Sequence, residues 1–131
     1  MIGYVTLGTN DLERAAAFYD ELLALVGATR FMQEDTFIAW AVAPDKPALS
    51  VTKPYDGQPA TVGNGTMIAL LVDSQERVHQ VYDKAIELGA ADEGPAGPRM
   101  DGFYAGYFRD LDGNKLNVFC YEMPTAQAPG D

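Results

Sequence analysis

The chain has 131 residues, 47% of them hydrophobic and 21% charged, with a formal net charge of −10 from 19 acidic against 9 basic side chains. That length suits one compact domain with a real core, and the composition excludes disorder. Phosphate backbones and anionic membranes are held by clustered Lys and Arg, which are here scattered singly, so neither nucleic acid nor membrane is expected as a partner. No apolar run approaches the about 18 residues that span a bilayer. The opening MIGYVTLGTNDLERA has no basic segment before an apolar one, and a single cysteine allows no internal disulfide. A cytoplasmic protein is expected.

In chain order, a short β-favouring run at 5–7 comes first. Asn10 with Glu13 then fits a capping box, in which a side-chain oxygen holds free helix amides and an acid three residues on reaches back. Ala15, Phe18, Tyr19, Leu22 and Leu23 follow at helical spacing and form one apolar stripe. After Gly27 come strand-like pieces at 30–33, 37–42 and 49–53. Residues 54–65, with Pro54, Gly57, Pro59, Gly63 and Gly65, read as a connection. A second β run at 68–72 precedes Asp73 and Glu76, another capping box, and a second stripe of Val78, Val81, Tyr82, Ala85 and Ile86. A weak strand near Ala91, a Gly- and Pro-rich loop at 94–102, and strands at 103–109 and 115–121 complete the pattern. DLDGN at 110–114 has the chemistry of a hairpin turn, and the tail from Pro124 is expected to fray.

The two halves repeat one another. A shift of 63 sets residues 4–25 on 67–88, with Glu13-Arg14 on Glu76-Arg77 and Tyr19-Asp20 on Tyr82-Asp83. At a shift of 67, Trp40 falls on Tyr107 and residues 49–51 on 116–118. The reading is βαβββ twice, an α+β fold of two tandem modules. Module one takes 1–56, a linker 57–63, module two 64–122, all within one domain at 1–122, with a flexible tail at 123–131. Helices cover one face of each sheet, which leaves the two other faces to close round a shared cavity.

A duplicated βαβββ chain opening YVTLGTNDLERAAAFYDELL and closing YFRDLDGNKLNVF resembles the vicinal oxygen chelate superfamily, which includes glyoxalase I, extradiol dioxygenases, and bleomycin- and fosfomycin-resistance proteins. The resemblance covers about residues 2–122. It implies a half-open mixed-sheet barrel, often in a dimer, and in the metalloenzymes a divalent metal held by one side chain from the first and last strand of each module. Those positions fall on Tyr4, Ser50, Met67 and Asn117. Family enzymes place His, Glu or Gln there, and a transition metal wants nitrogen or carboxylate oxygen at about 2.0–2.2 Å. A phenol, a hydroxyl, a thioether and an amide form a poor quartet, so no metal and no cofactor are expected.

Strand alternation assigns the walls of a pocket instead: Tyr4, Thr6, Ser50, Thr52, Met67 and Asn117 point to one side, with Trp40 and Tyr107 as rings that could stack on a planar ligand. A partly polar second core or a dimer surface is the alternative for this face, and plain packing for the aromatics. His79, the only histidine, falls off the apolar stripe and is expected in solvent. Cys120 is expected as an inert buried thiol, and Tyr4 has no identified partner for acid chemistry. Arg99 could meet an anionic group from the loop at 94–102. No catalytic residue is assigned. The favoured function is a metal-independent, sequestering small-molecule binder, as a homodimer. The alternatives are a lyase, isomerase or dioxygenase with atypical or no metal ligands, and a non-catalytic interaction domain.

Overall fold

The computed structural model describes residues 1–121, so the expected tail at 123–131 lies outside the described residues. Strand β1 (Tyr4–Gly8), helix α1 (Leu12–Ala24), β2 (Thr29–Gln33), β3 (Phe37–Ala41) and β4 (Ala48–Thr52) form the first βαβββ unit. Strand β5 (Ile68–Leu71), helix α2 (Gln75–Glu87), β6 (Ala91–Met100), β7 (Phe103–Arg109) and β8 (Lys115–Tyr121) form the second. The sheets run β1-β4-β3-β2 and β5-β8-β7-β6. In each, the first strand pairs parallel with the last and the rest is antiparallel. No helix among the described residues is long and apolar enough to cross a membrane.

The first apolar stripe is buried in full, and α2 buries Val78, Val81 and Ala85. Leu7, Ile38, Trp40, Leu49 and Val51 meet them from one sheet, and Phe108, Leu116 and Val118 from the other. Each such side chain, taken fully from water, contributes about 1.5–3 kcal/mol. Tyr82 is half-buried and lies over Gly106, where an added Cβ would sit 3.0 Å from its ring.

Both helices are capped one residue later than the capping boxes predict. Asp11 and Ser74 accept from the amides of Arg14 and Arg77, each at 3.1 Å. Asn10 is engaged elsewhere: its Oδ1 accepts from the Ala60 amide at 2.7 Å and its Nδ2 donates to the Ala60 carbonyl at 3.3 Å. A second difference lies in β6. The expected loop at 94–102 is mostly strand, paired with β7 through several register shifts. Pro95 and Pro98 are tolerated because β6 is an edge strand, where a missing N–H breaks no ladder bond on its open side.

The turn at 110–114 does more than join β7 to β8. Buried Asp110 accepts from the Tyr19 hydroxyl at 2.6 Å, from the amides of Asp112 and Asn114 at 2.9 Å, and from Asn114 Nδ2 at 3.0 Å. Asp112 in turn accepts from Thr9 Oγ1 at 2.6 Å and the Asn10 amide at 2.9 Å, while Asn114 Nδ2 also donates to the Gly8 carbonyl at 2.9 Å. The second unit thereby grips the β1–α1 corner of the first. Burial, and then the Asp110 charge, push the Tyr19 phenol well above its ordinary range, so it stays a donor.

A smaller network ties β2 and β3 to α1. Asp20 accepts from Arg30 Nε at 2.9 Å, Arg30 Nη2 at 2.7 Å and Trp40 Nε1 at 2.8 Å. The Arg30 hydrogen bonds, with help from Trp40, hold the Asp20 carboxyl below its ordinary 3.8. The stabilisation is therefore present above that value and lost as pH falls through the lower folded one. In urea titrations across the acid range, the stability advantage of the wild type over Asp20→Asn is expected to shrink steadily below pH 3.8. An advantage independent of pH would exclude this role.

The two sheets are not closed into a full barrel, and a hollow of about 520 Å³ is lined from both, by Val5, Trp40 and Leu49 of the first and Ile68, Leu70 and Leu71 of the second. Among the described residues no strand of one sheet pairs with a strand of the other, and α1 packs on α2. The connection from β4 to β5 spans residues 53–67, and β1 and β5 are edge strands of their sheets.

Candidate functional site

The open face of the first sheet holds a cleft of about 480 Å³. Its floor is made by residues of one parity on the paired strands, Thr6 opposite Ser50 and Ala39 opposite Ser50, with Thr52 opposite Phe37. Tyr4, Phe31, Met32 and Phe37 supply apolar walls, and Lys46 lies at the β3–β4 connection. Phe31 enters because a bulge between Arg30 and Met32 adds a residue to β2 and turns it to this side. Other hollows have similar volumes, but the one at the α1 start, among Asp11, Glu13, Arg30, Glu34, Asp35 and Lys53, is lined mainly by charge.

The polar part of the floor has a defined direction. Ser50 Oγ donates to the Val5 carbonyl at 3.1 Å, so its 2.8 Å contact with Thr6 Oγ1 is a bond that Thr6 donates. Thr52 Oγ1 likewise turns its proton to the carbonyls of Thr36 and Lys53, at 3.1 and 3.0 Å. Both threonine oxygens therefore keep lone pairs for a donor arriving from the cleft.

Of the eight residues expected in the pocket, Tyr4, Thr6, Ser50 and Thr52 line this cleft, and Met67, Trp40, Tyr107 and Asn117 do not. Trp40 faces the helix side: it is 1% exposed, packs on Tyr19 with ring centroids 5.7 Å apart, and donates to Asp20. Its structural counterpart is Phe108, not Tyr107, since Trp40 stands opposite Leu49 and Phe108 opposite Leu116. The β3–β4 connection is one residue longer than the β7–β8 connection that repeats it, and a slip of one residue moves a strand side chain to the other face. Tyr107 is on the open face of the second sheet, paired with Asn117, beneath Arg99 at 5.4 Å and Lys115 at 5.6 Å. Arg99 thus covers a ring and donates to the Pro95 and Pro98 carbonyls. His79 is exposed and bonded to the Tyr104 hydroxyl at 2.6 Å, and Cys120 is buried.

The residues at the family's metal-ligand positions do not fit a metal. Tyr4 and Ser50 belong to one sheet, while Asn117 belongs to the other and Met67 immediately precedes its first strand. Ser50 Oγ is already engaged, and a thioether, a phenol and an amide are weak partners for a hard or borderline cation. Among the described residues no three His, Cys, Asp or Glu side chains cluster in reach of one ion. Asn117 is nevertheless distinctive: it is 1% exposed and its Oδ1 has no hydrogen-bond partner, because Ala69 stands where the first unit has Thr6. An unmet buried carbonyl costs about 1–3 kcal/mol. Asn117→Leu is expected to leave stability unchanged or raise it by about 1 kcal/mol in urea unfolding; a loss above about 2 kcal/mol would show that the amide is satisfied in solution.

Phe31, Met32, Phe37, Ala39 and Lys46 escaped the sequence reading. The alternation that places Thr6 and Ser50 also places Ala39, but the bulge that turns Phe31 inward left no local signal.

A family model described as Glyoxalase/Bleomycin resistance protein/Dioxygenase superfamily matches residues 1–118. A glyoxalase/bleomycin resistance protein from Albidiferax ferrireducens T118 is 33% identical, with 93% of this chain and 99% of that one covered at a TM-score of 0.86. Lactoylglutathione lyase from Agrobacterium tumefaciens, 20% identical, shares the fold over 93% of this chain and 98% of its own at 0.68. A fosfomycin resistance protein from Listeria monocytogenes, 19% identical, does so over 94% of each chain at 0.70. No functionally curated protein matches the chain. The repeated βαβββ unit, the pairing of first with last strand in each sheet, and a match running nearly end to end agree: the chain belongs to the glyoxalase/bleomycin resistance protein/dioxygenase superfamily.

Proposed function

We propose that this protein binds a small, largely apolar molecule in the cleft of the first sheet without a metal, and that it acts by sequestering that molecule. The observation that carries the reading is the cleft itself: apolar walls over a floor of hydroxyls whose free lone pairs await a donor. The unsuitable donors at Tyr4, Ser50, Met67 and Asn117 support independence from metal. Elemental analysis of freshly purified protein tests this. The expected content is well below one transition metal per chain. One tightly held ion per chain, lost on substituting those four residues, would return the chain to a metal-dependent lyase or dioxygenase.

The functional form we propose is a homodimer in which the second unit of one copy covers the cleft of the other. Tyr4 (70% exposed) and Phe31 on one open face, and Leu71 (67% exposed) and Tyr121 on the other, present apolar side chains that a second copy would cover. Sedimentation equilibrium is expected to give a two-chain mass; a monomer at micromolar concentration would exclude this form.

A further inference from the structure

We infer that the ligand of the first-sheet cleft is a monoanion: a small apolar body bearing one carboxylate or comparable acidic group, held at the mouth by Lys46. This deepens the proposed function and rests on the cleft being the binding site.

The chain carries 19 acidic and 9 basic residues, yet no acidic side chain among the described residues lines the cleft. Among the described residues, Lys46 is the one Lys, Arg, Asp, Glu or His in its lining. It is exposed and forms no ion pair among the described residues, unlike Arg14, Arg30, Lys84 and Arg109, whose partners are carboxylates. Pro44 and Pro47 flank it in the β3–β4 connection and restrict the backbone that carries it. An unpaired ammonium beside apolar walls is worth more to an anion than one in open water, because the walls lower the local dielectric. The same charge repels a cation and offers a neutral molecule little, so it selects as well as attracts. The rest of the lining fits the remaining part of such a ligand. Phe31, Phe37, Met32 and Tyr4 provide flat or adaptable apolar contact, and the Thr6 oxygen can accept from a hydroxyl or N–H at the far end.

The test uses three probes of nearly equal size and shape: 2-naphthoate, its neutral amide, and the cationic 2-naphthylmethylammonium. Each is titrated calorimetrically into the full chain at low salt. For the wild type, naphthoate is expected to bind about 10-fold more tightly than the amide, and the cation more weakly than either. Lys46→Gln is expected to remove the preference for naphthoate and leave amide affinity within about twofold, which separates charge recognition from damage to the fold. Equal affinity of acid and amide for the wild type, or preference for the cation, would overturn the inference and leave the cleft reading standing. Failure of all three probes at millimolar concentration would overturn the cleft reading and this inference with it.

Discussion

Asp110→Ala is expected to destabilise the protein by about 3–5 kcal/mol, seen as a fall in Tm of about 10–20 °C. The carboxylate is 6% exposed and accepts four hydrogen bonds, from Tyr19, from the backbone of Asp112 and Asn114, and from the Asn114 side chain. Alanine removes both acceptor oxygens, and with them all four bonds, at once. The Tyr19 hydroxyl is left without its partner at a position where the whole residue is 0% exposed, and each donor stranded this way costs about 1–3 kcal/mol. The damage also spreads, because the turn that Asp110 organises presents Asp112 to Thr9 and Asn10 and Asn114 to Gly8. Tyr19→Phe provides the contrast. It deletes one donor, leaves Asp110 three partners, and should cost about 1–2 kcal/mol. Thermal unfolding of the two variants checks both. A loss below about 1 kcal/mol for Asp110→Ala would mean that the two units are held together by something else.

The second large effect is expected on binding. Ala39 sits at the middle of the cleft floor opposite Ser50, 6% exposed, with its side chain among the lining groups. Ala39→Phe places a ring where the ligand body should lie, and the cleft of about 480 Å³ gives that ring room to extend without entering the helix-side core. Affinity for a cleft ligand such as 2-naphthoate should fall at least about 100-fold, while unfolding free energy changes by less than about 1.5 kcal/mol. Titration calorimetry beside urea unfolding separates the two. Unchanged affinity in a folded Ala39→Phe protein would place the site elsewhere.

Much of the fold could be read before the structure. The helix stripes are strongly periodic, and Phe18, Tyr19, Leu22, Val78 and Val81 are buried as that period requires. The repeat made the two βαβββ units visible because the same capping and stripe pattern occurs twice. What escaped detection has local causes. Three consecutive side chains able to cap, Thr9, Asn10 and Asp11, compete for one helix start, and only the tertiary bond from Asn10 to Ala60 decides among them. The Pro- and Gly-rich segment at 94–102 reads as a loop because its pairing with β7 is non-local and its prolines occupy an edge. The site was half legible. Alternation groups Tyr4, Thr6, Ser50 and Thr52 on one face, where they line the cleft, yet one residue of slip between β3 and its repeat was enough to place Trp40 on the cavity side, when its ring lies in the core. A period of two offers no warning of such a slip.

Equivalent floor positions of the two sheets carry side chains of different size. At equivalent places the first sheet has Ala39 and Thr6, while the second has Tyr107 and Ala69. Small residues on the first floor leave space. On the second sheet the place of Ala39 is taken by the Tyr107 ring, with Arg99 and Lys115 over it.

The most direct test is a map of where a small molecule lands. Backbone amide shifts of isotope-labelled protein, followed during titration with 2-naphthoate and repeated after exhaustive chelation, should move at Thr6, Ala39, Ser50 and Thr52 to the same extent both times. Shifts confined to the second sheet or the helix surfaces, or shifts that vanish once metals are stripped, would contradict a metal-free pocket on the first sheet.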